Sequence, residues 1–322
     1  MGKIASFRRI KMGVIPAIFG VETTHLTPSE TALFERVQPL GFIIFSRNIE
    51  TPAQVTDLVA EMKGLCRGYT PLVLIDQEGG RVARLRSPHW QTPPAPKYYA
   101  DMVATYGLEA ATKAAYDGSA QIAQTLVDLG INVNCTPMCD VLFSDSHDII
   151  GDRAYGGEPA QIIALGRAVA QGLLDNGVLP VLKHIPGHGR ANVDSHEDLP
   201  IVTASINELQ VDFAPFKALA DLPLAMTAHI LYQAIDANKP ATLSKKVIDL
   251  IRNEIGFGGL IMTDDLCMKA LNAPVSQLAL DSLQAGCDIV LHCNGAFDEI
   301  ASICNDLKTY DFPKEQLIKL TA

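Results

Sequence analysis

The chain has 322 residues, of which 48% are hydrophobic and 19% are charged, so it can bury a large apolar core. Its formal net charge of -10 and the lack of a long basic run argue against a nucleic-acid-binding protein. No stretch approaches the roughly 18 apolar residues of a membrane span, and no secretory signal is recognisable. The seven cysteines are odd in number and scattered, which favours free thiols and a cytoplasmic location.

Short apolar runs recur along the chain, with helix-like segments between them. Near-continuous apolar character is typical of parallel strands that are covered on both faces. Eight such runs are predicted to be strands: 14–20, 41–45, 72–76, 131–137, 180–186, 224–230, 259–265 and 288–293.

Helices are predicted between these strands. Pro28 and Pro52 each suit the first turn of a helix, where a backbone N–H has no partner to lose. Leu129-Gly130 and Asn176-Gly177 are typical of helix ends. The proline-rich segment from Arg86 to Lys97 is predicted to be an ordered loop. The other helices are predicted at 106–129, 158–176, 207–221, 243–255, 275–285 and 296–308.

Eight strand–helix units predict an α/β fold, a (β/α)₈ TIM barrel in which residues 1–322 form a single catalytic domain. An open doubly wound sheet has the same alternation and is the alternative. In the barrel, functional groups gather at the carboxyl ends of the strands. Polar side chains stand at these predicted ends: Asp76, Asp140, Lys183, His184, His229, Asp264, Asp265 and His292.

The densest group of titratable residues is KHIPGHGRANVDSHEDLP, at positions 183–200. Asp194 and His196 are two residues apart, so an extended chain places both side chains on one side. A carboxylate beside an imidazole favours the imidazolium and fixes its tautomer, which suits general acid–base catalysis near neutral pH. A glycine-rich surface loop with an incidental salt bridge is the alternative.

Three further motifs contain candidate ligands. In DQEGGRVARL, Asp76 can accept hydrogen bonds from sugar hydroxyls and Arg84 can orient a carboxylate, although an ion-paired helix cap would look the same. Arg153 lies in IIGDRAYGGEP, which fits either a ligand clamp or a surface turn. In IMTDDLCM, Asp264 ends the seventh strand, where a carboxylate can be a nucleophile or a metal ligand. Strand alternation points Asp264 and Asp265 in different directions without deciding which faces inward.

Together, KHIPGHG, VDSHEDLP, DQEGGRVARL and TDDLCM resemble glycoside hydrolase family 3, and in particular its bacterial single-domain β-N-acetylhexosaminidases. The matching blocks extend from residue 14 to residue 293. The resemblance implies a retaining hydrolase for terminal, non-reducing β-linked N-acetylglucosamine. It also implies peptidoglycan recycling, with substrates that carry anhydro-N-acetylmuramic acid. The expected partner is a small carbohydrate, and no cofactor, catalytic metal, nucleic acid or membrane is expected.

The resemblance also implies residue roles. The first aspartate of T-D-D matches the nucleophile, which is Asp264, and D-S-H matches an acid–base dyad of His196 and Asp194. Arg190 departs from the family pattern, which often has an acidic or small residue there. The positions that match sugar-binding residues are Asp76, Arg84, Arg153, Lys183 and His184.

Three other functions stay open. A histidine that becomes neutral repels an anion less than a carboxylate does, so the enzyme could be a β-N-acetylglucosaminide phosphorylase with phosphate as the acceptor. A non-catalytic sugar-binding barrel would keep Asp76 and Lys183 but would have no need of Asp264 with the dyad. A metal-dependent hydrolase could draw its ligands from His184, His188, His196, His229 and Asp264.

Overall fold

Eight parallel strands form a closed barrel in the computed structural model, which describes residues 13–144, 146–191 and 198–321. Each strand pairs with the next in chain order, and the eighth returns to pair with the first. A parallel bridge between Met262 and Ile289 joins the seventh strand to the eighth. The predicted barrel is confirmed and the open-sheet alternative is wrong. The barrel strands are Ile15–Gly20, Pro39–Ile44, Leu72–Ile75, Val133–Asn134, Leu179–Ile185, Leu224–Thr227, Leu260–Met262 and Val290–His292.

Helices follow the strands, and three of them begin after a residue whose side chain accepts a hydrogen bond from the first turn: Thr27, Thr51 and Ser244. The Thr27 hydroxyl accepts a hydrogen bond from the N–H of Glu30, whose carboxylate accepts one from the N–H of Thr27, which is a capping box. No helix of the described ranges combines the length and apolar character that a bilayer crossing needs. The α-helices are α1 Pro28–Val37, α2 Pro52–Leu65, α3 Pro96–Tyr106, α4 Leu108–Asp128, α5 Pro159–Leu174, α6 Leu209–Ala218, α7 Lys245–Leu250, α8 Val275–Ala285, α9 Phe297–Asp306 and α10 Lys314–Thr321.

The helices α3 and α10 were not predicted from the sequence. Pro96 belongs to the predicted proline-rich loop, but in the structure it occupies the first turn of α3, where a proline is tolerated. Gly107, with φ of 84°, separates α3 from α4, so the long helix predicted from residue 106 begins at Leu108. A short antiparallel hairpin, Gln77–Gly79 with Val82–Ala83, was also missed.

The barrel has two apolar layers that follow from the period-two alternation of its strands. On the third strand, Leu72 and Leu74 point into the barrel, whereas Val73 and Ile75 pack against the surrounding helices. At the amino ends of the strands, Phe312 joins the inner cluster and its N–H donates to the carbonyl of Val14 at 2.7 Å. The barrel interior is therefore apolar at this end, whereas titratable side chains stand at the carboxyl ends.

Candidate active site

A cavity of about 270 Å³ opens at the carboxyl ends of the barrel strands. This is close to the lower limit of about 300 Å³ that is usual for small-molecule pockets. Six of the predicted site residues line it: Asp76, Arg84, Arg153, Lys183, His184 and Asp264. The other two, Asp194 and His196, lie outside the described residues, so their dyad stays a prediction.

Lys183 lies between the buried carboxylate of Glu78 and the carboxylate of Asp76, whose side chain is 15% exposed. Its Nζ is 3.0 Å from Oδ1 of Asp76 and 2.6 Å from Oε1 of Glu78. Arg84 donates from Nη2 to Oδ2 of Asp76 at 3.0 Å. Arg153 donates to both oxygens of Glu78, at 2.9 and 2.8 Å. Each carboxylate therefore has two cationic partners, and Lys183 joins the two halves of the network.

This network keeps its carboxylates and its lysine charged. Burial raises the pKa of Glu78, but Arg153 and Lys183 lower it to about 2 overall. Burial acts the same way on Asp76, yet Lys183 and Arg84 hold its pKa far below the ordinary range. Burial lowers the pKa of Lys183, and the two carboxylates more than offset this and raise it. Fixed charged donors and acceptors of this kind suit a ligand rich in hydroxyl groups.

The hairpin after the third strand brings Arg84 back onto Asp76. Gly79 has φ of 109°, and a Cβ there would lie 2.0 Å from the carbonyl oxygen of Pro94, so only glycine fits. The Gln77 side chain holds the returning strand, because its Oε1 accepts hydrogen bonds from the N–H groups of Arg84 and Leu85 at 2.8 and 3.0 Å.

Asp140 holds the two histidines of the KHIPGHG segment in place. Its Oδ2 lies 2.7 Å from Nδ1 of His184, and its Oδ1 accepts the backbone N–H of His188 at 2.6 Å. Burial raises the pKa of Asp140, but the adjacent His184 lowers it to a net value below the ordinary one. Since Nδ1 of His184 is engaged, Nε2 is the nitrogen left for a ligand in the cavity. Burial and His184 lower the pKa of His188 to about 4, so it is neutral at pH 7.

Asp264 and Asp265 follow the seventh strand and both line the cavity. Strand alternation cannot assign their directions, because the strand ends at Met262. The N–H of Asp265 donates to Oδ1 of Asp264 at 2.8 Å. Burial raises the pKa of Asp264, but the opposing effects of His229, His184 and this N–H are larger together. The net pKa is therefore below the ordinary value. Asp264 is therefore an ionised carboxylate at the cavity wall.

The sequence motifs do not predict Glu78 as a site residue, and they assign no role to Asp140, although it is one of the polar residues at the predicted strand ends. The signal for Glu78 is its position two residues after Asp76, which places both carboxylates on one side of an extended chain. The signal for Asp140 is its place at the end of a predicted strand. Neither signal shows which groups each carboxylate contacts, because the partners come from distant parts of the chain.

Two of the histidines considered for a metal site, His184 and His229, have other partners. His229 is bonded through both nitrogens, with Nδ1 2.7 Å from the Thr242 hydroxyl and Nε2 3.0 Å from the carbonyl of Asp265. His184 is bonded to Asp140. Within the part of the chain that the structure describes, His184, His188, His229 and Asp264 do not converge as a group of potential metal ligands.

Arg190 is the position at which the sequence departs from the family pattern. It holds the chain in place shortly before the predicted dyad residues, Asp194 and His196. Its Nε donates to Oδ2 of the buried Asp212 at 2.8 Å, and its guanidinium lies 4.2 Å from the ring centre of Phe143. Arg190 thus makes structural contacts with α6 and with the loop that contains Phe143, and it is absent from the cavity wall.

The family model for the glycosyl hydrolase family 3 N-terminal domain matches residues 21–320. The chain belongs to glycosyl hydrolase family 3. This confirms the resemblance seen in the motifs, and it makes the chain a glycoside hydrolase.

Several relatives in this family cover most of the chain. A beta-hexosaminidase of Nitrosomonas eutropha is 36% identical over 286 residues, which are 87% of this chain and 80% of the relative. NagZ of Neisseria gonorrhoeae, solved in complex with N-trifluoroacetyl-D-glucosamine, is 30% identical with a TM-score of 0.85, over 96% of this chain and 89% of that one. A family 3 β-N-acetylglucosaminidase of Paenibacillus sp. str. FPU-7 is also 30% identical with a TM-score of 0.85, over 94% of this chain and 58% of that one.

Proposed function

We propose that this enzyme is a retaining β-N-acetylhexosaminidase that removes terminal, non-reducing β-linked N-acetylglucosamine, and that residues 1–322 act as one catalytic domain. The observation that carries the proposal is the ionised carboxylate of Asp264 at one wall of a cavity that also contains the Lys183 network. The names of the relatives, and the glucosamine derivative bound to one of them, support the sugar specificity.

In the proposed first step, Asp264 attacks the anomeric carbon and forms a glycosyl ester while the bond to the leaving oxygen breaks. His196, as imidazolium, gives its proton to that oxygen, and Asp194 stabilises the imidazolium. In the second step the neutral imidazole takes a proton from water, which attacks the anomeric carbon and releases Asp264. Two displacements on one carbon return the original β-configuration.

The cations and carboxylates of the cavity have the binding role in this proposal. Asp76 accepts hydrogen bonds from sugar hydroxyls, and Lys183, Arg84, Arg153 and His184 donate them. Because Arg84 and Lys183 already hold the Asp76 carboxylate, its orientation is fixed before the sugar arrives. Preorganisation of this kind lowers the entropy lost on binding.

The proposed biological substrate is a peptidoglycan fragment in which N-acetylglucosamine is linked to anhydro-N-acetylmuramic acid. This rests on the family resemblance and on the similarity to NagZ. A role in peptidoglycan recycling and the cytoplasmic location predicted from the cysteine pattern belong to the same proposal.

A chromogenic assay with an aryl β-N-acetylglucosaminide tests the proposed function in three arms. Buffer alone is expected to give free N-acetylglucosamine. Added phosphate is expected to leave that product unchanged, whereas a phosphorylase would give N-acetylglucosamine 1-phosphate. A strong chelator is expected not to lower the rate, whereas a metal-dependent hydrolase would lose activity. No turnover in any arm would favour a sugar-binding barrel.

The variant His196→Ala is expected to lose far more activity on a substrate with a poor leaving group than on one with a good leaving group. A good leaving group departs without a proton, so it needs no general acid. Rates of the first step for two aryl glycosides of different leaving-group pKa give the comparison. Asp194→Ala and the double variant are expected to lose no more than about what His196→Ala loses, because residues that act as a unit are not additive. Equal losses on both substrates would remove His196 as the acid.

A further inference from the structure

Three side chains with the chemistry of metal ligands meet beside the active-site cavity. One ligand atom from each of Cys267, His292 and Glu299 lies within 4.8 Å of the others. Cys267 is in the loop after the seventh strand, His292 ends the eighth strand and Glu299 is in the first turn of α9. None of the three has a role in the catalytic mechanism proposed above.

We propose that Cys267, His292 and Glu299 bind a zinc ion that slows the enzyme. A thiolate, an imidazole and a carboxylate are the ligands of a borderline-soft ion, and sites with three protein ligands leave the fourth zinc position to water. Calcium and magnesium take oxygen ligands instead. This ion is separate from the catalytic step, which uses Asp264 and His196.

The distances between the three side chains are close to those of a zinc site. Oε2 of Glu299 lies 2.9 Å from Nε2 of His292 and 4.0 Å from Sγ of Cys267. Tetrahedral zinc, with bonds of about 2.0–2.3 Å, separates its nitrogen and oxygen ligands by about 3.3 Å and its sulfur and oxygen ligands by about 3.5 Å. Each of these two separations therefore has to change by only about half an ångström.

The cluster is built so that an ion can reach it and be held. The His292 side chain is fully buried, whereas 42% of the Glu299 side chain is exposed, so the solvent side lies at the carboxylate. Asn294 donates from Nδ2 to Oε2 of Glu299 at 2.7 Å and holds that oxygen towards the imidazole. Side chains that orient a ligand in this way commonly accompany metal sites.

Backbone hydrogen bonds connect this cluster to the catalytic carboxylate. The N–H of Cys267 and the N–H of Cys293, which follows His292, both donate to Oδ1 of Asp265 at 3.0 Å. The N–H of Asp265 in turn donates to Asp264. A shift of Cys267 towards an ion therefore moves the loop that positions Asp264. The proposed effect of zinc on the reaction rate depends on the proposed role of Asp264. The proposed binding of zinc does not depend on it.

Cobalt(II), a coloured substitute for zinc, tests the site on the chelator-treated full chain without substrate. A cobalt–thiolate absorption band in the near ultraviolet is expected, with one ion bound per chain. The variant Cys267→Ser is expected to lose this band, and Glu299→Gln is expected to weaken the affinity at least about tenfold. Cys66→Ser is the matched control, since Cys66 and Cys267 are the two cysteines that are not buried, and it is expected to keep the band.

The same variants separate this site from zinc bound in the active-site cavity. Zinc is expected to inhibit the native enzyme, and Cys267→Ser is expected to raise the half-inhibitory zinc concentration at least about tenfold. The absence of a thiolate band, or a band that survives Cys267→Ser, overturns the site. A band lost in Cys267→Ser with unchanged zinc inhibition overturns the link to catalysis. The absorption band is measured without turnover, so it tests metal binding independently of the proposed function.

Discussion

Replacing Asp264 with asparagine is expected to lower kcat/KM on an aryl β-N-acetylglucosaminide by at least about 10⁴-fold, since loss of a nucleophile removes the covalent route. Asparagine has nearly the same shape and can still accept the hydrogen bond from the N–H of Asp265. The fold should therefore survive, and the loss should appear in the rate of the first chemical step.

Asp265→Asn is the matched control for Asp264→Asn. The Asp265 carboxylate accepts two backbone N–H groups, and an amide oxygen can accept the same two, though less strongly. We expect kcat/KM of Asp265→Asn to fall by less than about a hundredfold. A larger loss of kcat/KM in Asp265→Asn than in Asp264→Asn would reverse the assignment of the nucleophile.

Azide, a small anionic nucleophile, should restore turnover to Asp264→Ala and give a glycosyl azide of inverted, α-configuration.

Replacing Lys183 with methionine is expected to lower the free energy of unfolding by about 3–5 kcal/mol, the usual cost of removing one partner from a buried ion network. Asp76 and Glu78 would each lose a cation, although Glu78 is buried and the Asp76 side chain is mostly shielded from water. Lys113→Met removes a lysine whose side chain is 75% exposed, and it should change stability by less than about 1 kcal/mol. Chemical denaturation of both variants measures the difference, and equal losses would contradict the role of the network.

The effect of Lys183→Met should depend on pH in a defined direction. In the native protein the pKa of Glu78 is lowered from 4.5 to about 2, so its contribution to stability is present above pH 4.5 and is lost as the pH falls towards 2. Without Lys183 the pKa values of Asp76 and Glu78 rise, and their protonation relieves the unpaired charge. The stability gap between native protein and variant should therefore narrow below pH 4.5. A gap that widens on acidification would exclude this electrostatic account.

The barrel could be predicted because each strand is a short apolar run, and all eight runs overlap observed strands. The helix α3 was missed because Pro96 reads as a loop residue unless its place in the first turn is known. At the site, strand-end positions were enough to predict Asp76, Lys183 and Asp264 as cavity residues, since the fold brings these ends together.

Partners within the site could not be predicted, because they depend on side-chain direction and loop path. The pairing of Glu78 with Arg153 joins residues 75 positions apart, and nothing in either motif indicates it. The hydrogen bond from the backbone N–H of His188 to Asp140 depends on how the KHIPGHG segment turns. The dyad of Asp194 and His196 is still known only from its sequence motif.

The most direct test of the account is to trap the covalent intermediate on Asp264. A fluorinated N-acetylglucosaminide with a very good leaving group serves as the probe, because fluorine destabilises the positively charged transition states while the leaving group keeps the first step fast. We expect one sugar to be attached per chain, and we expect peptide mapping by mass spectrometry to place it on Asp264. A sugar on Asp265 or elsewhere, or turnover with no attached sugar, would contradict the account.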